Sequence, residues 1–568
     1  MNTEIQNTLP KIKNFPYLSP SLLKDFAAFY TPNMGKAELA HCQKFFAARN
    51  QVPPTGEELA FLDAFVAQNY RYPDAFLISQ MQTEDDFLAK TFHDLMDKRA
   101  IVTPNYSAPC SYAEITKVAQ AYLGATDKKT SFIDSLHVSC APHCNLVLAA
   151  QKADAATVDG DSPCGLSCGL SHHGAIACRT ALKNGDTVYA VLQSTDARGD
   201  EDFEKRLVAF AKSSAVHLYV KKLYPVGKRG LLHTLFDTEM GFEVELSRLY
   251  GDAPAKRLLD SDLGLVFIAN GEHASGVLMD ALDAGLRPRL VGTLMDNGQV
   301  VLKHNDRDRL LFTVPFLKAL SFSRAYRAEM CDGEVCRKIG LSPVRSTHFG
   351  GHDFSFVRAD GDDSRHGALY AALCALSSLV ACGADLRDVR LAVRTQLSLS
   401  DISAQNLGKQ LAFLLGLYRA ETEFELSELD SSIDLTDQSS SVSLYAMAET
   451  INAPISDTLN KDDTSVYLLE PLYDENGNPD FDNLKDMFAY VKALQKNGKV
   501  LSARAVFGDI LEPLDSMSGD KTIEYTLNAP YAAKAGSILV ESAQSITGTL
   551  VGKVFPANEE SDENPDNA

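Results

Sequence analysis

Two cysteine pairs, Cys140-x3-Cys144 and Cys164-x3-Cys168, lie with His137, His143, His172, His173 and Cys178 inside about forty residues. Thiolate and imidazole are the soft and borderline ligands of tetrahedral zinc, and short spacers between paired cysteines suit such a site. The candidate metal set is Cys140, Cys144, Cys164, Cys168, His172 and His173. The competing reading takes these cysteines as small buried residues, in keeping with the Ala, Gly and Ser around them. A second group, His348, His352, Asp353, Arg365 and His366, sits at or before the start of a long apolar segment. A helix beginning there would present unpaired amide groups and a positive dipole end to an anion such as a phosphate or nucleotide. The alternative is that His366 only caps and packs the helix. No strand–turn–helix nucleophile elbow occurs, and the DGD strings at 159–161 and 360–362 lack the spacing of a calcium loop and read as turns.

These groups need elements to hold them. His366–Cys382 (HGALYAALCALSSLVAC) reads as a mostly apolar helix with small residues at close-packing positions, ended by Gly383. Arg390–Thr395 and Ser441–Ala448 read as strands, and Leu407–Arg419 as a helix. Toward the N-terminus, Ala37–Ala48 has helical spacing, and Thr55 with Glu58 is a capping box opening a helix through Leu59, Leu62, Phe65 and Val66. Residues 75–125 look helical with loops.

Residues 185–246 and 462–527 read as two copies of one unit. Tyr189 and Tyr467 differ by 467 − 189 = 278, and the same offset relates Val188 to Val466, Phe210 to Phe488, Gly230 to Gly508 and Gly241 to Gly519. In each copy a strand (Asp186–Leu192, Thr464–Leu469) precedes a helix (Glu201–Ala211, Asp482–Leu494) and a glycine-marked turn, an α/β plan. A register held over that span points to duplication and fusion. The offset maps 345–460 onto 67–182, where nothing repeats the 366–382 helix, so the first copy of that segment is shortened.

The chain has 568 residues, enough for several domains, with 45% apolar residues, a net charge of −21 and a pI near 5.1. Without a basic tract, a nucleic-acid partner is excluded. Apolar runs such as 263–269 fall short of the ~20 residues that cross a membrane, and Met1–Pro10 is polar, unlike a secretory leader. Eleven dispersed cysteines suit a reducing, cytoplasmic setting. The acidic tail from Asn558 to Ala568 lacks the apolar residues needed to order itself.

Three stretches resemble one family. MGKAELAHCQKFFAARNQVPPTGEEL is similar to the helical linker domain of phosphoribosylformylglycinamidine synthase, the formylglycinamide ribonucleotide amidotransferase of purine biosynthesis, in its large clostridial-type form. HGALYAALCALSSLVACGADLRDVRLAV, with LGKQLAFLLGLYRAETEF, resembles the core of its second half, and DENGNPDFDNLKDMFAYVKALQKNGKVLSARAV its last α/β domain. The resemblance covers about residues 34–552 and implies an α/β (α+β) fold of tandem AIR-synthase-like halves, a pseudo-two-fold monomer with a small N-terminal helical linker domain. The expected domains are 1–75 (lead-in and linker), 76–184 (shortened first N-terminal-like domain), 185–330 (first C-terminal-like α/β domain), 331–460 and 461–555 (their second-half counterparts), and 556–568 (tail).

The family reaction phosphorylates an amide oxygen with ATP and lets ammonia displace the phosphate, which implies ATP or ADP and magnesium as cofactors. Its polar motifs are mostly missing here. The linker run with two histidines corresponds to Val66–Tyr72, and a string rich in metal- and phosphate-binding groups occurs nowhere. A glycine-rich turn corresponds to Pro225–Gly230, where Gly227 and Gly230 persist but the carboxylate does not. The acid at the centre of the second-half helix falls on Cys374, and the glycine-rich lysine loop aligns near Leu429–Ser432 without its Gly-Gly-Lys. His366 and Gly367 match the family's helix start. The resemblance therefore implies a scaffold with eroded catalysis, a nucleotide- or phosphate-binding set of Arg365, His366, Gly367, Gly227 and Gly230, and a nucleotide or purine-pathway protein as partner. No glutaminase domain follows in this chain. The alternatives are amidation with ammonia from a separate glutaminase, and a zinc-binding structural module.

Overall fold

The computed structural model describes residues 14–49, 52–70, 76–102, 110–126, 133, 135–139, 146, 147, 149, 154–159, 165–170, 181–193, 201–227, 229–251, 254–260, 263–269, 273–321, 325–329, 336, 338–386, 389–398, 402–436, 438–450, 454–526 and 531–556. The chain is α/β and divides into two compact units, residues 1–79, 109–113 and 132–326 forming the first and 80–108, 114–131 and 327–568 the second.

The strand Thr187–Leu192 shows why the first unit is layered. Side chains alternate across a strand, and here Val188 and Ala190 enter one apolar core while Tyr189 and Val191 enter another. Burial on both faces accounts for its unbroken apolar middle. It lies in a seven-stranded sheet of order Arg307–Thr313, Gln299–His304, Gly241–Glu245, Arg289–Met295, Thr187–Leu192, Gly264–Ala269, Val220–Pro225. Helices Lys36–Ala48 and Gly56–Asn69 cover one face, Phe46, Leu59 and Phe65 sharing a core with Leu235, Val266 and Phe312. The expected capping box is present: Glu58 N–H donates to Thr55 Oγ1 (3.1 Å) and Thr55 N–H to Glu58 Oε2 (2.8 Å). Helices Glu201–Ala211 and Ala274–Asp283 cover the other face.

In the second unit, the helix Gly367–Ala381 is buried at every residue, as its apolar sequence demands. It packs against a six-stranded sheet that includes His352–Gly361, Ser441–Glu449 and Arg390–Ser398, and against a five-stranded sheet. Gly383, at φ +99°, ends it: Ala384 N–H reaches Leu379 O at 2.9 Å, the left-handed termination expected from the glycine. Arg390–Ser398 and Ser427–Thr436 pair in parallel, joined by the crossover helix Ala404–Glu423. Leu429–Ser432, aligned above with a glycine-rich loop, is instead strand within Ser427–Thr436.

The five-stranded sheet has the order Ser502–Asp509, Ala532–Ser542, Thr464–Leu469, Thr549–Pro556, Lys521–Tyr525. Reading the first unit's sheet from Val220–Pro225 to Gly241–Glu245 gives the same order of chain connections, again antiparallel throughout.

Helices Asp86–Val102 and most of Tyr112–Thr126 group with the second unit, not with the strands of 135–170. Polar contacts tie them there: Tyr418 Oη donates to Asp94 (2.8 Å), and Glu428 N–H donates to Gln120 Oε1 (2.7 Å). Among the described residues, no helix is long and apolar enough to cross a membrane.

Candidate functional site

The start of the helix Gly367–Ala381 is built by a backbone crossing. The preceding strand ends at Gly361, and a Cβ there would run into Gly367 O, while a Cβ on Gly367 would run into Asp362 O. Only glycine fits at either place, so Gly367 answers first to packing. Gly367 N–H donates to Ser364 O (3.0 Å) and Tyr370 N–H to His366 O (2.7 Å), placing His366 at the N-cap. Its side chain makes no capping hydrogen bond.

A loop of the following domain fixes the imidazole instead. Asn476 and Asn478 N–H groups donate to Asp474 Oδ1 (2.9 and 2.8 Å), and Asn478 Nδ2 donates to Asp474 Oδ2 (2.9 Å). Asn478 Oδ1, 3.1 Å from His366 Nε2, is thereby left as an acceptor, so Nε2 carries the proton. His366 Nδ1 then presents a lone pair, buried and without a partner. The ring stacks on Tyr370 at 5.1 Å, whose hydroxyl donates to Gly477 O (2.7 Å). Burial pulls the imidazole pKa down to about 4, beyond what the Asn478 bond restores, so the ring is neutral near pH 7. Arg365 is ion-paired with Asp85, both side chains being largely buried. Arg365, His366 and Gly367 are thus brought together at one helix start.

The other histidines of the sequence group are not. His348 and His352 flank a Gly350–Gly351 turn, and cross-strand pairing of His348 with Asp353 and of Phe349 with His352 puts the two rings on opposite faces. Their Nδ1 atoms lie 2.8 Å from Asp353 Oδ1 and Glu449 Oε1 respectively.

Gly227 and Gly230 lie in the first unit. Gly230 has φ +76°, and a Cβ would meet Leu258 O at 2.6 Å and Asp260 O at 2.7 Å. The close approach that requires glycine is that of the chain to itself. Around Gly227 there is open space. Beside this turn His233 is held between Arg229 O (3.0 Å) and Asn69 Oδ1 (3.1 Å) and stacks on Phe65.

Of the cysteine–histidine set, Cys140, Cys144, Cys164, His172 and His173 lie outside the described residues. Cys168 is buried on the strand Gly165–Leu170, and burial pushes its thiol up to about 12, which disfavours the thiolate a metal needs. It pairs with Leu136 while Ser167 pairs with His137, so Cys168 and His137 occupy opposite faces. Among the described residues, no group of three His, Cys, Asp or Glu could hold a metal. At the centre of the long helix Cys374 is buried, its thiol also pushed up to about 12 by burial. A protonated thiol there offers nothing to magnesium.

Asp474, Asn478, Tyr370 and Asp85 were not singled out from sequence. Asp474-x-Asn476-x-Asn478 does carry a turn signal, since Asx side chains bond the backbone two residues on. Asp85 carries none.

No protein-family model and no curated protein matches the chain. Solved structures do. PurL of Thermotoga maritima complexed with ATP superposes with a TM-score of 0.53 at 14% identity, covering 69% of this chain and 74% of that one. The same protein complexed with FGAR gives 0.52 at 12% identity, covering 69% and 75%. Phosphoribosylformylglycinamidine synthase II of Thermotoga maritima gives 0.53 at 14% identity, covering 69% and 74%. At such identities the likeness is one of fold.

Proposed function

We propose that the chain is a catalytically degenerate homologue of phosphoribosylformylglycinamidine synthase that acts by binding, with the phosphate of a nucleotide seated at the start of the helix Gly367–Ala381. The observation that carries this reading is the conjunction at that helix start: amide groups that no side chain caps, the Arg365 guanidinium beside Asp85, and the unpartnered, buried His366 Nδ1. An anion carrying its own hydrogen-bond donor, such as a monoprotonated phosphate or a ribose hydroxyl beside one, matches a lone pair next to N–H groups. Neighbours of this fold include PurL complexed with ATP and with ADP.

Loss of catalysis is supported residue by residue. Cys374 stands where the family places an acid, and Asp474 has its oxygens occupied by Asn476 and Asn478. The described residues of this site do not fit magnesium. The shared strand order of the two α/β sheets, with the 278-residue offset, supports descent from a fused duplicate.

Two measurements test the reading. Calorimetric titration with AMP, ADP, ATP and inorganic phosphate should reveal binding that Arg365→Gln weakens by about tenfold or more, as loss of a charge-assisted contact implies. Absence of heat at millimolar ligand for all four would remove the nucleotide. Incubation with formylglycinamide ribonucleotide, magnesium-ATP and ammonium should yield no ADP above a denatured control; turnover would establish the amidation reading instead.

A further inference from the structure

Helix Ala404–Glu423 and strand Ser427–Thr436 meet at a tight turn in which Leu426 N–H donates to Glu421 O (2.9 Å) and Glu425 takes φ +50°. The turn brings Glu421 and Glu428 face to face in the interior of the second unit. Glu421 is 0% exposed and Glu428 7%. All four carboxyl oxygens are buried, and among the described residues no ion pair includes either group. The side chains beside them are neutral, Gln120 at Glu421 and Ser431 at Glu428.

Two carboxylates in contact without a cation cannot both be ionised, so the pair holds a proton, one acid donating to its partner. Burial first, and then the facing Glu428, hold the Glu421 carboxyl well above the ordinary carboxylate range. The charged groups around the pair are engaged elsewhere. On the crossover helix Arg419 is paired with Glu423 (2.5 Å). On helix Asp86–Val102, Lys98 is paired with Asp94 (2.8 Å) and Arg99 with Glu114 of the next helix (3.4 Å). On the neighbouring strand Arg390 donates to Val389 O (3.2 Å), and Asp430 adds a further negative charge. The lid over the pair is the segment 114–126, whose Gln120 accepts from Glu428 N–H (2.7 Å) and donates to Leu426 O (3.4 Å).

We propose that Glu421 and Glu428 form a proton-operated latch: while they share a proton the segment 114–126 stays seated on the second unit, and loss of that proton releases it. Opening exposes the acids to water and returns them to ordinary behaviour. Between the ordinary carboxylate value and the raised one, each opening therefore releases a proton, and the opening constant rises about tenfold per pH unit.

Hydrogen exchange of the full chain, followed on peptides from 114–126 and 404–423 between about pH 5 and 9 and divided by intrinsic rates, tests this. Wild-type protection should fall by about tenfold per pH unit over part of that range, and Glu421→Gln should be flat. Glu428→Gln supplies the same readout should the first variant lack native circular dichroism near pH 5. A flat wild-type profile, or an unchanged slope in a folded variant, would overturn the latch. So would recovery of alkaline protection on adding magnesium, calcium or potassium, which would make the pair a cation site.

Discussion

His366 should make the second unit acid-sensitive by an amount that its surroundings fix. The side chain is 2% exposed, and burial lowers its pKa from 6.5 to about 4. Between those values the unfolded chain binds a proton that the folded one refuses, so stability rises with pH and is lost as pH falls from 6.5 toward 4. At about 1.4 kcal/mol per unit, the ceiling is about 3.4 kcal/mol, and the portion lost between about pH 7.5 and 4.5 is about 2.5 kcal/mol. The perturbation is His366→Gln, whose amide nitrogen can take the place of Nε2–H toward Asn478 Oδ1 without titrating. Because the chain has two units, a global two-state midpoint is the wrong observable. Hydrogen exchange of peptides from Gly367–Ala381 across a urea series reports the unit that holds the residue. Other groups titrate alike in both proteins, so the difference of differences isolates His366. The variant should lose about 2.5 kcal/mol less than the wild type between the two pH values. Equal losses, within about 1 kcal/mol, would refute the assignment of a buried neutral imidazole.

Glu541→Ala should destabilise the last domain by about 3–5 kcal/mol, since the fully buried carboxylate accepts from Asn460 N (2.9 Å), Lys461 N (3.1 Å), Thr464 Oγ1 (2.8 Å) and Ser502 Oγ (2.9 Å). Loss of protection in strand Thr464–Leu469 is the measurement, and a change under about 1 kcal/mol would mean those donors find other acceptors. Gly230→Ala should cost about 1–3 kcal/mol, from positive φ and the carbonyls of Leu258 and Asp260, whereas Gly227→Ala should stay within about 0.5 kcal/mol. Hydrogen exchange of peptides from Gly264–Ala269, in the same unit, compared between the two variants checks the contrast.

What the sequence reveals here is what local pattern encodes. The apolar run from Gly367 to Ala381 can only be a buried helix, Thr55 with Glu58 can cap only a helix start, and the alternation of Thr464–Leu469 gives a strand at the bounds observed. The grouping of Asp86–Val102 with the second unit is illegible because its ties, like that of Asp94 to Tyr418 across 324 positions, leave no local mark. Half of the candidate site is legible for the same reason: Arg365 and His366 announce a helix start, while Asp85 and Asn478 reach it only through folding. Glu421 misleads outright. In a run of ETEFE a glutamate reads as solvent-facing, since unpaired acids are rarely buried, and only the fold turns it inward. Gly230 misleads in the other direction: a glycine suggestive of a phosphate cradle serves the backbone of Leu258–Asp260.

The two buried titrating sites of the second unit pull in opposite directions. His366 refuses a proton that the unfolded chain would take between about 4 and 6.5. The glutamate pair keeps a proton that the unfolded chain would release above the ordinary value of 4.5. Above the ordinary value of 4.5, for as long as the pair keeps its proton, the two sites therefore contribute slopes of opposite sign, and each offsets the other. Where the two overlap in that interval the wild-type profile of global stability is flattened, which conceals both. Glu421→Gln should uncover the rise that His366 contributes, and His366→Gln the fall that the pair contributes. A single variant that left the interval flat would show that neither group is coupled to the stability of this unit.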